Sequence, residues 1–194
     1  MKIKVILLNS YQTLFCLIII LFVSISACWA DYCQGWSEIA IKLLPDNSFA
    51  YIEIQPSEIQ PNGVTAKKVI RHCPYRDKKG KIDYEQLIYE LGTFSKEIWL
   101  NQKNRDIALK QLKLHYDSFI QESMNNNPLK EVININSAPL TKLVLLPRIG
   151  PVLAVKIVCY RKTHTSFKSI EEIKQIEGIG QGTFNAVRFY ISVQ

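Results

Sequence analysis

The sequence predicts a mainly α-helical protein in two parts: a small α+β domain of unrecognised type over residues 31–122 and an all-α domain over 131–194. Three observations lead there. The C-terminal part repeats itself at an offset of 30 residues, with Leu143 answering to Ile173, Leu146 to Ile176, Ile149 to Ile179, Gly150 to Gly180, Ile157 to Val187 and Tyr160 to Tyr190. Apolar residues recur there at helical spacing around two tight reversals, LPRIGP and IEGIGQG, so each copy reads as helix, tight turn, helix. The middle part instead mixes a β-rich stretch, SFAYIEI, with long helical patterns, and a polar, turn-forming linker over 123–130 separates the two.

Residues 1–30 read as a signal peptide or a membrane anchor. Lys2 and Lys4 precede a polar break, the apolar run LFCLIIILFV over 14–23, and small residues in SISACWA. That run is shorter than the roughly 20 residues that span a bilayer, which fits a secretory signal cleaved after Ala30. Two other readings stay open. Ile25–Cys28 resembles the bacterial lipobox, which makes Cys28 a lipidation site; counted through Ala30, the apolar stretch approaches spanning length and becomes a tether. All three place the rest of the chain outside the cytoplasm, with the bacterial periplasm the natural expectation.

An oxidising compartment permits disulfides. Cys33 and Cys73, both near expected element ends of the middle part, form the natural pair, and closing that loop stabilises by roughly 4 kcal/mol on the chain-entropy model. Cys159 lies in an apolar helical pattern and is expected to stay a buried thiol.

The middle part opens with a short helix over 37–44 that Pro45 stops. A hairpin follows, 48–54 returning as 64–70 around the turn residues QPSEIQPNG. CPYRDKKGK is a charged turn. Asp83 with Gln86 forms a capping box for a helix whose Leu87, Ile88, Leu91, Phe94, Ile98 and Trp99 face inward. A further helix over 105–122 turns Ile107, Leu112, Tyr116, Phe119 and Ile120 inward. In the C-terminal part Ser137 with Pro139 starts the first helix, and Ser169 with Glu172 makes a capping box for the third. Neither hairpin buries enough apolar surface alone, so the two copies are expected to share one core.

Charge is unevenly spread. Residues 31–128 carry 13 basic and 13 acidic side chains, whereas 129–194 carry 9 basic against 4 acidic, which holds +5 of the chain's +7. Taken with their spacing, the segments ININSAPLTKLVLLPRIGPVLAVKIVCYR and SFKSIEEIKQIEGIGQGTFNAVRFYI resemble the paired helix-hairpin-helix domain of the ComEA family of competence proteins. The resemblance covers about a third of the chain. It implies non-sequence-specific binding of double-stranded DNA outside the cytoplasm, during DNA uptake, with envelope or uptake-machinery proteins as further partners. One position departs from the family pattern, Arg148, where glycine is usual.

Physical chemistry supports the same expectation. A glycine turn leading into a helix lets backbone N–H groups approach an anion without interference from Cβ, and the helix N-terminus adds a favourable dipole. Arg148, Ile149 and Gly150 in the first hairpin, and Gly178, Ile179, Gly180 and Gly182 in the second, are the candidate DNA-binding residues, with Lys156 and Arg188 adding attraction. If position 148 requires a positive φ, arginine strains the backbone there; in exchange it brings a guanidinium to where a phosphate is expected. A partner-binding module that uses the hairpins only structurally is the alternative. Nothing in the residues calls for an enzyme, a cofactor or a metal. His72, His115 and His164 stand singly, His72-Cys73 has no second pair at zinc spacing, and Asp77, Asp83 and Glu85 read as a solvated turn and a helix cap.

Overall fold

The computed structural model describes residues 35–55, 67–126 and 131–194, and Gly35–Gln194 forms one compact unit. The signal or anchor segment, Cys28, Cys33, residues 56–66 of the hairpin turn and 127–130 of the linker lie outside the described residues.

Helix α1 (Glu38–Lys42) starts where Ser37 Oγ accepts the Ala40 N–H. Strands β1 (Phe49–Gln55) and β2 (Lys68–Pro74) pair antiparallel with Tyr51 opposite His72. The returning strand runs four residues beyond the expected 64–70. That register turns His72 and Cys73 into the interior and leaves Lys68 and Val69 exposed. Helix α2 (Tyr84–Thr93) is capped by Asp83, which accepts the Gln86 N–H at 3.0 Å. Gln86 does not reach back to complete the box: its side chain is buried, accepting from the Trp36 N–H and donating to Glu90 at 2.6 Å. The helix ends at Thr93 in a 3-10 turn (Phe94–Lys96), so Phe94 packs inward while Ile98, expected in the core, is 87% exposed. Helix α3 (Gln102–Asn125), capped by Asn101, buries Ala108 and Leu112; Ile107 lies one residue off the inward face and is exposed.

In the C-terminal segment α4 (Leu140–Leu143), α5 (Pro151–Thr163), a 3-10 helix (Ile170–Gln175) and α6 (Gln181–Val187) realise the repeat. Leu143, Ile157, Ile173 and Val187 are wholly buried, the repeated positions meeting in one core as expected. The third helix is 3-10 rather than α. Ser169 gives no side-chain cap, and Glu172 accepts instead from the Lys168 N–H. Two short strands that helical periodicity conceals, β3 (Ile133–Asn134) and β4 (Ile191–Ser192), pair in parallel and clamp the two ends of the segment. Asn136 ties the same ends, donating to the Phe167 and Val193 carbonyls and accepting from the Phe167 N–H. Arg161 donates to the Ile135 and Ala138 carbonyls. The N-I-N-S-A and Y-R elements of the resemblance are therefore structural ties.

The two segments, expected as separate domains, are joined through α2. It packs on α5 so closely that a Cβ on Gly92 would lie 2.5 Å from Val155 Cγ2 and 2.8 Å from the Pro151 carbonyl oxygen. One turn earlier, Ile88 enters the C-terminal core. Glu85, at the start of α2, accepts the Leu140 and Thr141 N–H groups at 2.9 Å each, together with the Thr141 hydroxyl. Because the α4 N-cap is Pro139, whose side chain cannot accept, Glu85 supplies from another helix the cap that the local sequence lacks.

The expected Cys33–Cys73 bridge is not formed. Cys73 is a free, fully buried thiol at φ 52°, facing Glu90, and burial together with the charges of Glu90 and Glu97 pushes its ionisation far up. Cys159, expected to remain a thiol, is disulfide-bonded.

Candidate functional site

The two hairpins adopt nearly one backbone conformation. Gly150 and Gly180, the N-cap residues of α5 and α6, have φ/ψ of −92°/−177° and −86°/−176°. Two residues before each, the chain passes through positive φ, at Arg148 (63°) and Gly178 (95°). Ile149 and Ile179 are buried anchors whose N–H groups close back on the Leu146 and Ile176 carbonyls. Past each anchor the backbone is open: a Cβ on Gly150 or Gly180 would meet nothing within 4 Å. The first intrahelical bonds run from Ala154 to Gly150 and from Phe184 to Gly180. Among the described residues the N–H groups before them have no protein acceptor. These are the free donors of a helix start.

The donor sets differ. Gly180, Gln181, Gly182 and Thr183 offer consecutive amides, whereas Pro151, at the first position of α5, removes one from the first hairpin. The surroundings differ as well. The first hairpin is backed by α2 at Pro151 and flanked by α3, and a groove of about 670 Å³ runs between Tyr116, Ile120 and Met124 on one side and Leu146, Pro147 and Arg148 on the other. The second hairpin rests on α5, where a Cβ on Gly178 would lie 3.0 Å from Leu153 Cδ2.

The two added cations occupy unequal places. Lys156 is committed to the second hairpin, donating to the Glu177 carbonyl at 3.0 Å and its carboxylate at 2.8 Å; that contact and the lysine charge hold Glu177 below the usual carboxylate range. Arg188 stands at the far end of α6, about 12 Å along the axis from Gly180 by helical rise, with its guanidinium over the Phe189 ring at 4.5 Å. Gly182 lies in the first turn of α6, and the atom nearest its missing Cβ is Arg148 Nη1, at 3.2 Å. The arginine of the first hairpin thus reaches the second.

Residues 129–192 match the family model for the helix-hairpin-helix motif. The C-terminal third carries a ComEA-like helix-hairpin-helix domain. It is similar to ComE operon protein 1 of Bacillus subtilis, 35% identical over 63 residues, which is 32% of this chain and 31% of that protein. Endonuclease/exonuclease/phosphatase family domain-containing protein 1 of Rattus norvegicus is 27% identical over 116 residues, 58% of this chain and 19% of that protein. The mouse protein of the same name is 26% identical over the same length. The chain thus spans about a third or less of the length of these relatives. No solved structure matches it.

A second polar constellation, missed in the sequence, lies in the middle segment. Glu53 accepts from the Leu100 and Asn101 N–H groups and from Asn104, and faces His72 Nε2 at 3.1 Å; His72 Nδ1 faces Glu97 at 3.2 Å, and the imidazole stacks on Trp99 at 3.9 Å. Burial raises the Glu53 carboxyl, but these hydrogen bonds outweigh it and hold the group below its ordinary value. Beyond Glu97, donor atoms of Cys73, Glu90 and Glu97 lie within 4.8 Å of one another, a set able to hold a metal ion. Burial, with the neighbouring Glu97 charge, lifts Glu90 to about 8, which keeps it a protonated hydrogen-bonding partner at neutral pH. One signal could have found this cluster. Glu90 sits three residues after Leu87, a carboxylate on the buried stripe of an amphipathic helix.

Proposed function

We propose that the chain is an exported protein that binds double-stranded DNA through its backbone, without sequence preference, in DNA uptake during natural transformation. The observation that carries the reading is the pair of like hairpins with outward amides, set in a segment of net charge +5. Side by side they suit phosphates on two strands across a minor groove. Such contacts read no bases, so affinity is indifferent to sequence and sensitive to salt. With about four phosphates neutralised, the log–log salt slope is near −3.6 and the dissociation constant is micromolar to tens of micromolar.

The test is titration of the purified protein with random and defined duplexes over a salt series. Equal affinity for both and a steep salt slope support the reading; absence of binding at low salt overturns it and leaves the hairpins as a protein-interaction module. Uptake is tested separately, by complementing a deletion strain with the full chain; no effect on transformation removes the competence role. We assign no catalysis. The relatives whose name includes endonuclease match over 19% of their length, and Mg²⁺-dependent loss of duplex on incubation with the protein would reverse that assignment.

The periplasm, or a membrane or lipid tether facing it, is the proposed location, with envelope or uptake proteins as further partners. The apolar run at 14–23 and the small residues before Ala30 support it.

A further inference from the structure

Two buried carboxylates of the middle segment have opposite surroundings. Glu53 accepts from the Leu100 and Asn101 N–H groups and from Asn104, and it faces His72, so its charge is met on every side. Glu90 has one amide donor, Gln86 at 2.6 Å, and no lysine, arginine or histidine pairs with it among the described residues. It faces instead the wholly buried Cys73 thiol and a second carboxylate, Glu97. A core does not hold converging carboxylates without a compensating positive charge or bound protons.

The three groups have the geometry of a chelate. Cys73 comes from β2, Glu90 from α2 and Glu97 from the end of the 3-10 turn, and their Sγ and carboxylate oxygens lie within 4.8 Å of one another. Ligand atoms around a four-coordinate zinc stand about 3.5 Å apart by the usual bond lengths, so shifts of about 1 Å close the set. The Glu97 side chain is 33% exposed, which gives an ion an entry path and leaves a fourth position for water. Glu97 is also aimed from behind. His72 Nδ1 faces its carboxylate at 3.2 Å, while the imidazole is fixed by Glu53 and by stacking on Trp99. Outer partners of this kind orient metal ligands. A thiolate among the donors selects a borderline ion of the zinc kind over magnesium or calcium, which take oxygen alone.

We propose that Cys73, Glu90 and Glu97 form a site for a divalent transition-metal ion of the zinc class, with His72 as the positioning residue behind Glu97. Without the ion, protons on Cys73 and Glu90 hold the trio together. Zn²⁺ displaces both to solvent, its two charges replacing theirs, and no electron is transferred. The ion staples β2, α2 and the following loop, and α2 also backs the first hairpin. The site is independent of the DNA-binding reading.

The full-length natural protein, C73S and E97Q, each freed of metal by a chelator and exchanged into plain buffer, are titrated with Zn²⁺ and with Co²⁺ as a coloured probe. The natural chain takes up one ion, and Co²⁺ gives the intense visible bands of four-coordinate cobalt with a thiolate-to-metal charge-transfer band. Zn²⁺ raises its thermal midpoint by several degrees, as a ligand of the folded state does. C73S loses the charge-transfer band. E97Q, partly exposed and able to keep its hydrogen bond with His72, matches the natural midpoint in chelator and binds at least tenfold more weakly. Should C73S not fold, the natural chain and E97Q decide alone. A natural chain without the charge-transfer band or the midpoint rise overturns the site. So does a band that survives in C73S, which places the ion on another thiol, or an unchanged affinity in E97Q.

Discussion

The two hairpins share a backbone and differ in nearly everything around it. The second is the regular one: glycine at the positive-φ position, four consecutive amides, and Lys156 tied to its tip. The first carries an arginine at φ 63°, loses an amide to Pro151, is backed by Gly92 of α2 and shares a groove with α3. One fold element therefore serves two ends. The hairpin packed against the middle segment forms a joint; the other keeps the fuller donor array.

Disturbing the joint is expected to have the largest effect. Gly92→Val places atoms within 3 Å of a carbonyl oxygen, an overpacking that costs about 1–3 kcal/mol or more; chemical denaturation reads it, and an unchanged midpoint would break the picture of a buttressed hairpin. Glu85→Ala strips two amides and a hydroxyl of their acceptor at α4, for about 1–2 kcal/mol. The same substitution at exposed Glu171 on the free side is expected to be near neutral.

The opposite face of α2 titrates. Glu90 faces Gln86, Cys73 and Glu97 there, and its carboxyl is raised from 4.5 to about 8 in the folded chain, so below pH 4.5 both states are protonated and its contribution is fully present. As pH rises from 4.5 to about 8, the unfolded state releases a proton that the folded state keeps, and the contribution is lost. Thermal midpoints of the natural protein minus those of Glu90→Gln are expected to fall across that window. A pH-independent difference would move the proton elsewhere in the Glu97–Glu90–Cys73 group.

Smaller effects separate the hairpins themselves. Arg148→Gly relieves the positive-φ strain and stabilises by about 1 kcal/mol, yet weakens DNA binding, opposite signs that calorimetry and titration detect together. Arg148→Glu weakens binding further, and equal, small effects of the two substitutions would take Arg148 out of the interface. Lys156→Ala removes an exposed, solvent-screened pair and is expected to leave stability nearly unchanged, and its effect on binding is expected to be less than that of Arg148→Gly because its charge is already matched by Glu177.

Much of the C-terminal segment was legible in order. A repeat at offset 30 with glycines at fixed places admits few structures, because the apolar positions and the turn are both local properties. The middle segment was legible element by element but not in register. The strand displaced to Lys68–Pro74 and the exposed Ile98 and Ile107 all depend on which neighbour receives each face, while Leu112, Tyr116, Phe119 and Ile120 of α3 turn inward as expected. The cysteines were misread for the same reason: sequence proximity to element ends suggested Cys33 with Cys73, whereas the strand register turned Cys73 into the core.

The sequence by itself determined the two hairpins, their anchors Ile149 and Ile179, the glycines that shape them and the concentration of charge around them, since these follow from backbone sterics and composition within a few residues. Tertiary structure alone decided that α2 is fused to the first hairpin, that Glu85 caps a helix 55 residues away, that Lys156 answers Glu177 and that Arg148 reaches Gly182. Those contacts join residues with no local reason to meet, and only the packing of one shared core brings them within reach.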